Sequence, residues 1–136
     1  MSTSGQGRIL VVDDNAIVRE TLAQRLRASG HDVLTAATGE QAFQALRDWS
    51  RPPGWLYTRD TLPGLIDGWI LADAYHDLHP KRPAVVSALA ARPSVQGHIV
   101  LGQPALCAVL DALRRAFASN SVAHAAGGYN DRQEAA

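Results

Sequence analysis

The chain has a single cysteine, Cys107, in 136 residues. One thiol cannot close an internal disulfide, and it leaves no CxxC pair to hold a metal. No apolar stretch approaches the ~20 residues that span a bilayer. The opening MSTSGQGR contains no apolar signal-peptide core. Charge of one sign is also missing, because 13 Lys and Arg balance 13 Asp and Glu. That balance excludes a general electrostatic footprint for nucleic acid or for an anionic membrane. There is no Gly-rich phosphate loop, no nucleophile elbow and no Cys–His pair. These absences point to a soluble cytoplasmic domain that is not an enzyme. The length suits one domain around one core. Cys107 falls on an apolar helical face and reads as buried packing.

What is present is an alternation of short apolar runs and helical periodicities. Residues 1–7 are small and polar, a flexible lead-in. The run at 8–12 is a strand, followed by a helix over 15–28 with Ile17, Val18, Leu22 and Leu26 near helical spacing. Asp14 or Asn15 can cap that helix, and Gly30 follows its end. A second strand falls at 33–36 and a second helix at 40–49, which Pro52, Pro53 and Gly54 break. A third strand at 55–58, a loop at 59–68 and a helix at 69–78 follow. Strands at 84–87 and 98–101 precede a final amphipathic helix at 104–118. Residues 119–136 lose periodicity and read as a mobile tail. Strands alternating with helices imply right-handed crossovers and a parallel sheet. Five strands favour a flavodoxin-like doubly wound α/β sheet of order 2-1-3-4-5. Its ligand crevice would lie between strands 1 and 3, at their carboxyl ends.

Asp13 and Asp14 stand side by side there, just after the buried run 9–12. Adjacent carboxylates raise each other's cost of ionising, so something positive should neutralise them. Further motifs fall at strand ends in order: ILVVDDN at 9–15, LPGLIDGW at 62–69, VVS at 85–87 and GQPA at 102–105. Together they resemble the CheY-like receiver domain of bacterial two-component response regulators, over roughly residues 8–118. The resemblance implies phosphoryl transfer from a histidine kinase to an aspartate ending strand 3. A carboxylate can act as nucleophile and form an acyl phosphate. It also implies Mg²⁺ between the acid pair and the phosphate, since a hard cation prefers oxygen ligands. Carried over by position, Asp13 and Asp14 match the acid pair and Ser87 the switching hydroxyl. Pro104 matches a proline that often follows a cis bond.

Three positions depart from that pattern. Arg59 stands where the phosphoacceptor should be, Gln103 where a lysine should be, and Val100 where an aromatic should be. Arginine is permanently cationic and cannot accept a phosphoryl group. The usual three acids and one lysine sum to −2, whereas Asp13, Asp14, Arg59 and Gln103 sum to −1. Arg59 can therefore pair with the acids where the metal would sit. Two unit charges about 4 Å apart attract by about 4 kcal/mol at an effective dielectric of about 20, before desolvation. Asp60 is the alternative acceptor, but strand alternation points it away from Arg59. The segment 88–97 also has no room for a full helix of ~11 residues and is interrupted by Pro93 and Gly97. A short or irregular fourth helix follows, and with it an altered partner surface.

His76 and His79 lie three apart on a helix without a carboxylate-rich ligand set, and read as solvated helix-end residues. Trp49, Trp55 and Trp69 read as core or rim packing. Arg114 and Arg115 read as a solvated face.

The leading expectation is an atypical receiver in two-component signal transduction. It would not be phosphorylated at the usual position and would act on a protein partner such as a histidine kinase, regulator or output domain. Direct nucleic-acid or membrane contact is not expected, and oligomeric state is open. An alternative is a phosphorylatable receiver using Asp60 with Mg²⁺. A third is a flavodoxin-like small-ligand binder or enzyme.

Overall fold

Ile9, Leu10, Val11 and Val12 are fully buried, as a central strand of a parallel sheet requires of both its faces. They belong to β1 (Arg8–Val12) in a computed structural model that describes residues 8–118. The expected lead-in at 1–7, the tail at 119–136 and His124 lie outside the described residues. The sheet continues through β2 (Asp32–Ala36), β3 (Pro53–Arg59), β4 (Val85–Ala88) and β5 (Ile99–Gly102). All pairings are parallel and the order is β2-β1-β3-β4-β5, the expected flavodoxin-like arrangement. Three helices are α1 (Ala16–Ala28), α2 (Gly39–Leu46) and α3 (Gly68–Leu78). Residues 106–118 form α4. No described helix is long and apolar enough to cross a membrane.

Each of the first three helices starts on a side chain that accepts an otherwise unpaired N–H. Asn15 Oδ1 accepts from Ile17 and Val18, Thr38 accepts from Gln41, and Asp67 accepts from Ile70. Strand alternation then sorts the core into two layers. Ile9, Val11, Trp55, Tyr57 and Val85 face α1 and α4. Leu10, Val12, Leu56, Val86 and Val100 face α2 and α3.

Several local expectations are corrected. The second helix stops at Leu46, because the Asp48 carboxylate turns the chain by accepting from the Ser50 N–H and hydroxyl. Trp49 is consequently 81% exposed rather than packed. β3 begins at Pro53, two residues early. Arg8 pairs with Pro53 but Ile9 with Trp55, so Gly54 forms a bulge that admits the Pro-Gly breaker into the sheet. The freed Gly54 carbonyl is claimed by the Tyr75 hydroxyl at 3.1 Å and Arg82 at 3.0 Å. Cys107 is exposed, since the buried stripe of α4 runs through Val109, Leu110, Leu113 and Phe117 and misses it.

Residues 89–98 contain no helix. The chain turns at Gly97, whose N–H reaches the Ser94 carbonyl at 3.1 Å. The Arg92 guanidinium lies 4.1 Å above the Trp69 ring and fastens the segment to the start of α3. At that start, a Cβ on Gly68 would collide with the Arg59 carbonyl oxygen. Gly68→Ala is expected to lower the unfolding free energy by about 1–3 kcal/mol, measured by urea denaturation.

Candidate functional site

The alternation that sorts the core also assembles the site. Residues 9 and 11 on β1, 55 and 57 on β3, and 85 on β4 share the α1/α4 face. Two residues further along, at the carboxyl ends, the same face carries Asp13, Arg59 and Ser87. They line a cleft of about 650 Å³ together with Tyr57, Asp60, Gln103 and Pro104.

Asp13 is 3% exposed, and a buried carboxylate needs partners for its oxygens. Its Oδ1 accepts the Asn15 N–H at 2.9 Å, and its Oδ2 accepts the Tyr57 hydroxyl at 2.9 Å. Sequence reasoning missed Tyr57. Its signal was available: a polar tip two residues before the acceptor position, on the same face of the strand. Burial, then the Asp13 charge, pushes the Tyr57 phenol above its ordinary pKa, so it stays a donor.

Asp14 meets a different partner. Arg59 Nη1 lies 3.1 Å from Asp14 Oδ1 and 4.0 Å from Asp13 Oδ1. The arginine therefore stands against both acids. The Arg59 and Asp14 side chains are 46% and 42% exposed. At that exposure the pair contributes at most about 1 kcal/mol, well below the Coulomb figure for a screened-from-water pair. Its weight is positional, because it places a cation against both strand-end acids.

The remaining positions divide. Gln103 has φ +41°, a left-handed backbone uncommon for a side-chain-bearing residue. Its N–H reaches the Ala88 carbonyl at 2.7 Å and its side-chain amide donates to the Leu89 carbonyl at 3.2 Å. It thus ties down the start of the irregular segment and supplies no cation. Val100 is buried on the opposite face of the sheet. Pro104 follows a trans bond. Asp60 lies just past β3, half-buried, with its N–H on the Ser87 carbonyl at 2.8 Å and its own carbonyl accepting the Gly68 N–H. It is among the residues that line the cleft, and β3 ends one residue before it.

The histidine expectation also changes. His79 is half-buried, with Nε2 3.1 Å from the Pro53 carbonyl, and burial holds its pKa below the ordinary value. His76 packs edge-on against His98, whose ring is buried. Neither is the solvated helix-end residue that the sequence suggested.

No family model and no curated protein matches the chain. Solved structures do. The receiver domain of the hybrid histidine kinase CckA is 27% identical, with 82% of this chain and 99% of that one covered and a TM-score of 0.65. A response regulator receiver protein from Sinorhizobium medicae WSM419 is 21% identical over 82% and 94%, at 0.70. A CheY-like receiver domain protein from Methanospirillum hungatei JF-1 is 19% identical over 85% and 96%, at 0.69. The fold is that of the response-regulator receiver domain.

A receiver fold implies Mg²⁺, and the residues present do not suit it. Both Asp13 oxygens already accept hydrogen bonds, Asp14 Oδ1 faces Arg59, and that guanidinium stands against both acids. Among the described residues no three His, Cys, Asp or Glu side chains group so as to hold a metal. Magnesium needs a near-octahedral oxygen set, which this receiver fold does not offer here. Arg59→Asp restores a third carboxylate, and its Mg²⁺ affinity by calorimetric titration is expected to exceed wild type by at least about tenfold. Tyr57→Phe leaves an Asp13 oxygen buried and unpaired. It is expected to cost about 1–3 kcal/mol in chemical denaturation.

Proposed function

We propose that this chain is a receiver-type signalling domain that is not phosphorylated at the end of β3 and acts through contact with a protein partner. The observation that carries this reading is the 3.1 Å contact between Arg59 and Asp14. A guanidinium has no nucleophilic oxygen, and it occupies the space into which an acyl phosphate would grow. Gln103 adds no charge that could stabilise a transferred phosphoryl group. The partner would be a component of a two-component system, such as a histidine kinase, a regulator or an output domain. The segment 89–98, held down by Arg92 on Trp69, replaces a helical surface with an irregular one. A partner recognising this domain would therefore read a different shape from the one that a helix presents.

Asp60 supports a second reading, a receiver phosphorylated one residue late with Mg²⁺, because it is among the residues that line the same cleft. Incubation with acetyl phosphate and Mg²⁺, followed by intact mass, separates the two. The expected result is no added phosphoryl mass. An adduct in the wild type that disappears in Asp60→Asn would establish the second reading instead.

A further inference from the structure

His98 is 7% exposed, immediately before β5. Its Nδ1 accepts the Ala84 N–H at 2.9 Å. Ala84 is also the acceptor for the next residue, as the Ile99 N–H reaches its carbonyl at 2.9 Å. The amino ends of β4 and β5 are thus closed by two reciprocal hydrogen bonds, one of which runs through an imidazole nitrogen.

A ring nitrogen that accepts an amide N–H cannot carry a proton. Neutral His98 is therefore the Nε2–H tautomer. Its Nε2 and the Nδ1 of His76 are both buried without a well-directed partner, and the two rings stand edge-on with centroids 5.8 Å apart. The pair resembles half of a metal site, but the tautomer excludes it. A ligating imidazole donates its second ring N–H, whereas this one accepts.

Protonation would put a hydrogen on Nδ1, directly against the Ala84 N–H. Two donors would then face each other, and the bond must open. Asp73, Tyr75 and His76 face the ring from α3, together with the Ala72 carbonyl, and the Ala84 N–H faces it from the β4 side. Burial and His76 oppose the charged ring, while Asp73 and the Ala72 carbonyl favour it. Burial prevails. β5 is a sheet-edge strand of four residues with β4 as its neighbour, and the segment leading into it forms no helix.

We propose that His98 is a proton-operated latch on this edge strand: neutral, it pins β5 to β4, and protonated, it releases the amino end of β5 and the segment before it. The proposal is independent of whether the domain is phosphorylated. The sign follows from linkage. The released ring titrates near the ordinary value of about 6.5, and the latched ring titrates lower. Opening therefore takes up a proton. The latch is at full strength above about pH 6.5 and weakens as pH falls, by about tenfold in the opening constant per pH unit, until the latched ring itself titrates.

Amide exchange by NMR on the full chain tests this, with rates expressed as protection factors from about pH 7.5 to about pH 5. The Ala84 and Ile99 amides are expected to lose protection about tenfold per unit below about pH 6.5, while Val11 and Leu56 hold theirs. His98→Asn supplies a carboxamide oxygen for the Ala84 N–H and cannot titrate, so its protection should be flat with pH. Should the variant fail to fold, the ¹⁵N shifts of the wild-type imidazole give the second readout. They should show the Nε2–H tautomer at neutral pH and a midpoint matching the loss of protection. Flat protection in the wild type, a pH-dependent loss that survives His98→Asn, or an Nδ1–H tautomer would each overturn the latch.

Discussion

A carboxylate buried at the end of a central strand is the constraint on which the site is built. β1 is buried on both faces, and Asp13 at its end is 3% exposed, so its oxygens need partners from the protein. The N-terminus of α1 answers one oxygen with a backbone N–H, and Tyr57 answers the other from the adjacent strand. The tyrosine does two jobs at once. Its ring fills the α1/α4 layer of the core, and its hydroxyl reaches the strand-end acid. Packing and polar satisfaction therefore depend on a single rotamer, which fixes the floor of the cleft.

The rim of the same cleft obeys different energetics. Arg59 and Asp14 are close but half in water, and such pairs add little to stability. Their importance is chemical. At the carboxyl end of the sheet Asp13 and Asp14 stand together, and Arg59 from within the sheet lies against both. Asp13 and Asp14 are held by a phenol, a backbone amide and a guanidinium. The irregular segment 89–98 extends the same theme to the surface. Gln103 holds its start, and Arg92 anchors its middle on Trp69.

Much of this was legible in the chain itself. The β-branched runs, the cap at Asn15 and the alternation of periods gave the element order, and with it the sheet order. The motifs at 9–15, 62–69, 85–87 and 102–105 gave the resemblance, and the spacing before Pro63 marked Arg59. Local signals failed where a distant contact overrode them. Pro53 and Gly54 read as breakers, yet a bulge stabilised by Tyr75 and Arg82 keeps them in β3. Trp49 read as packing, yet an aspartate turn two residues after the helix leaves it in solvent. His98 read as the first residue of the fifth strand, yet it stands just before β5 and closes the β4–β5 pair through its ring.

The sequence by itself determined the sheet, its order and the identity of the residues at each strand end. Hydrophobic period and capping are local properties, and a parallel five-stranded sheet is the arrangement that buries them all. Only the tertiary structure decided how those residues answer one another. That the Tyr57 hydroxyl meets Asp13 and that Arg59 lies against Asp14 are facts about cross-strand register. Charges and hydrogen-bond donors act over a few ångströms of space, and separation along the chain does not report that distance.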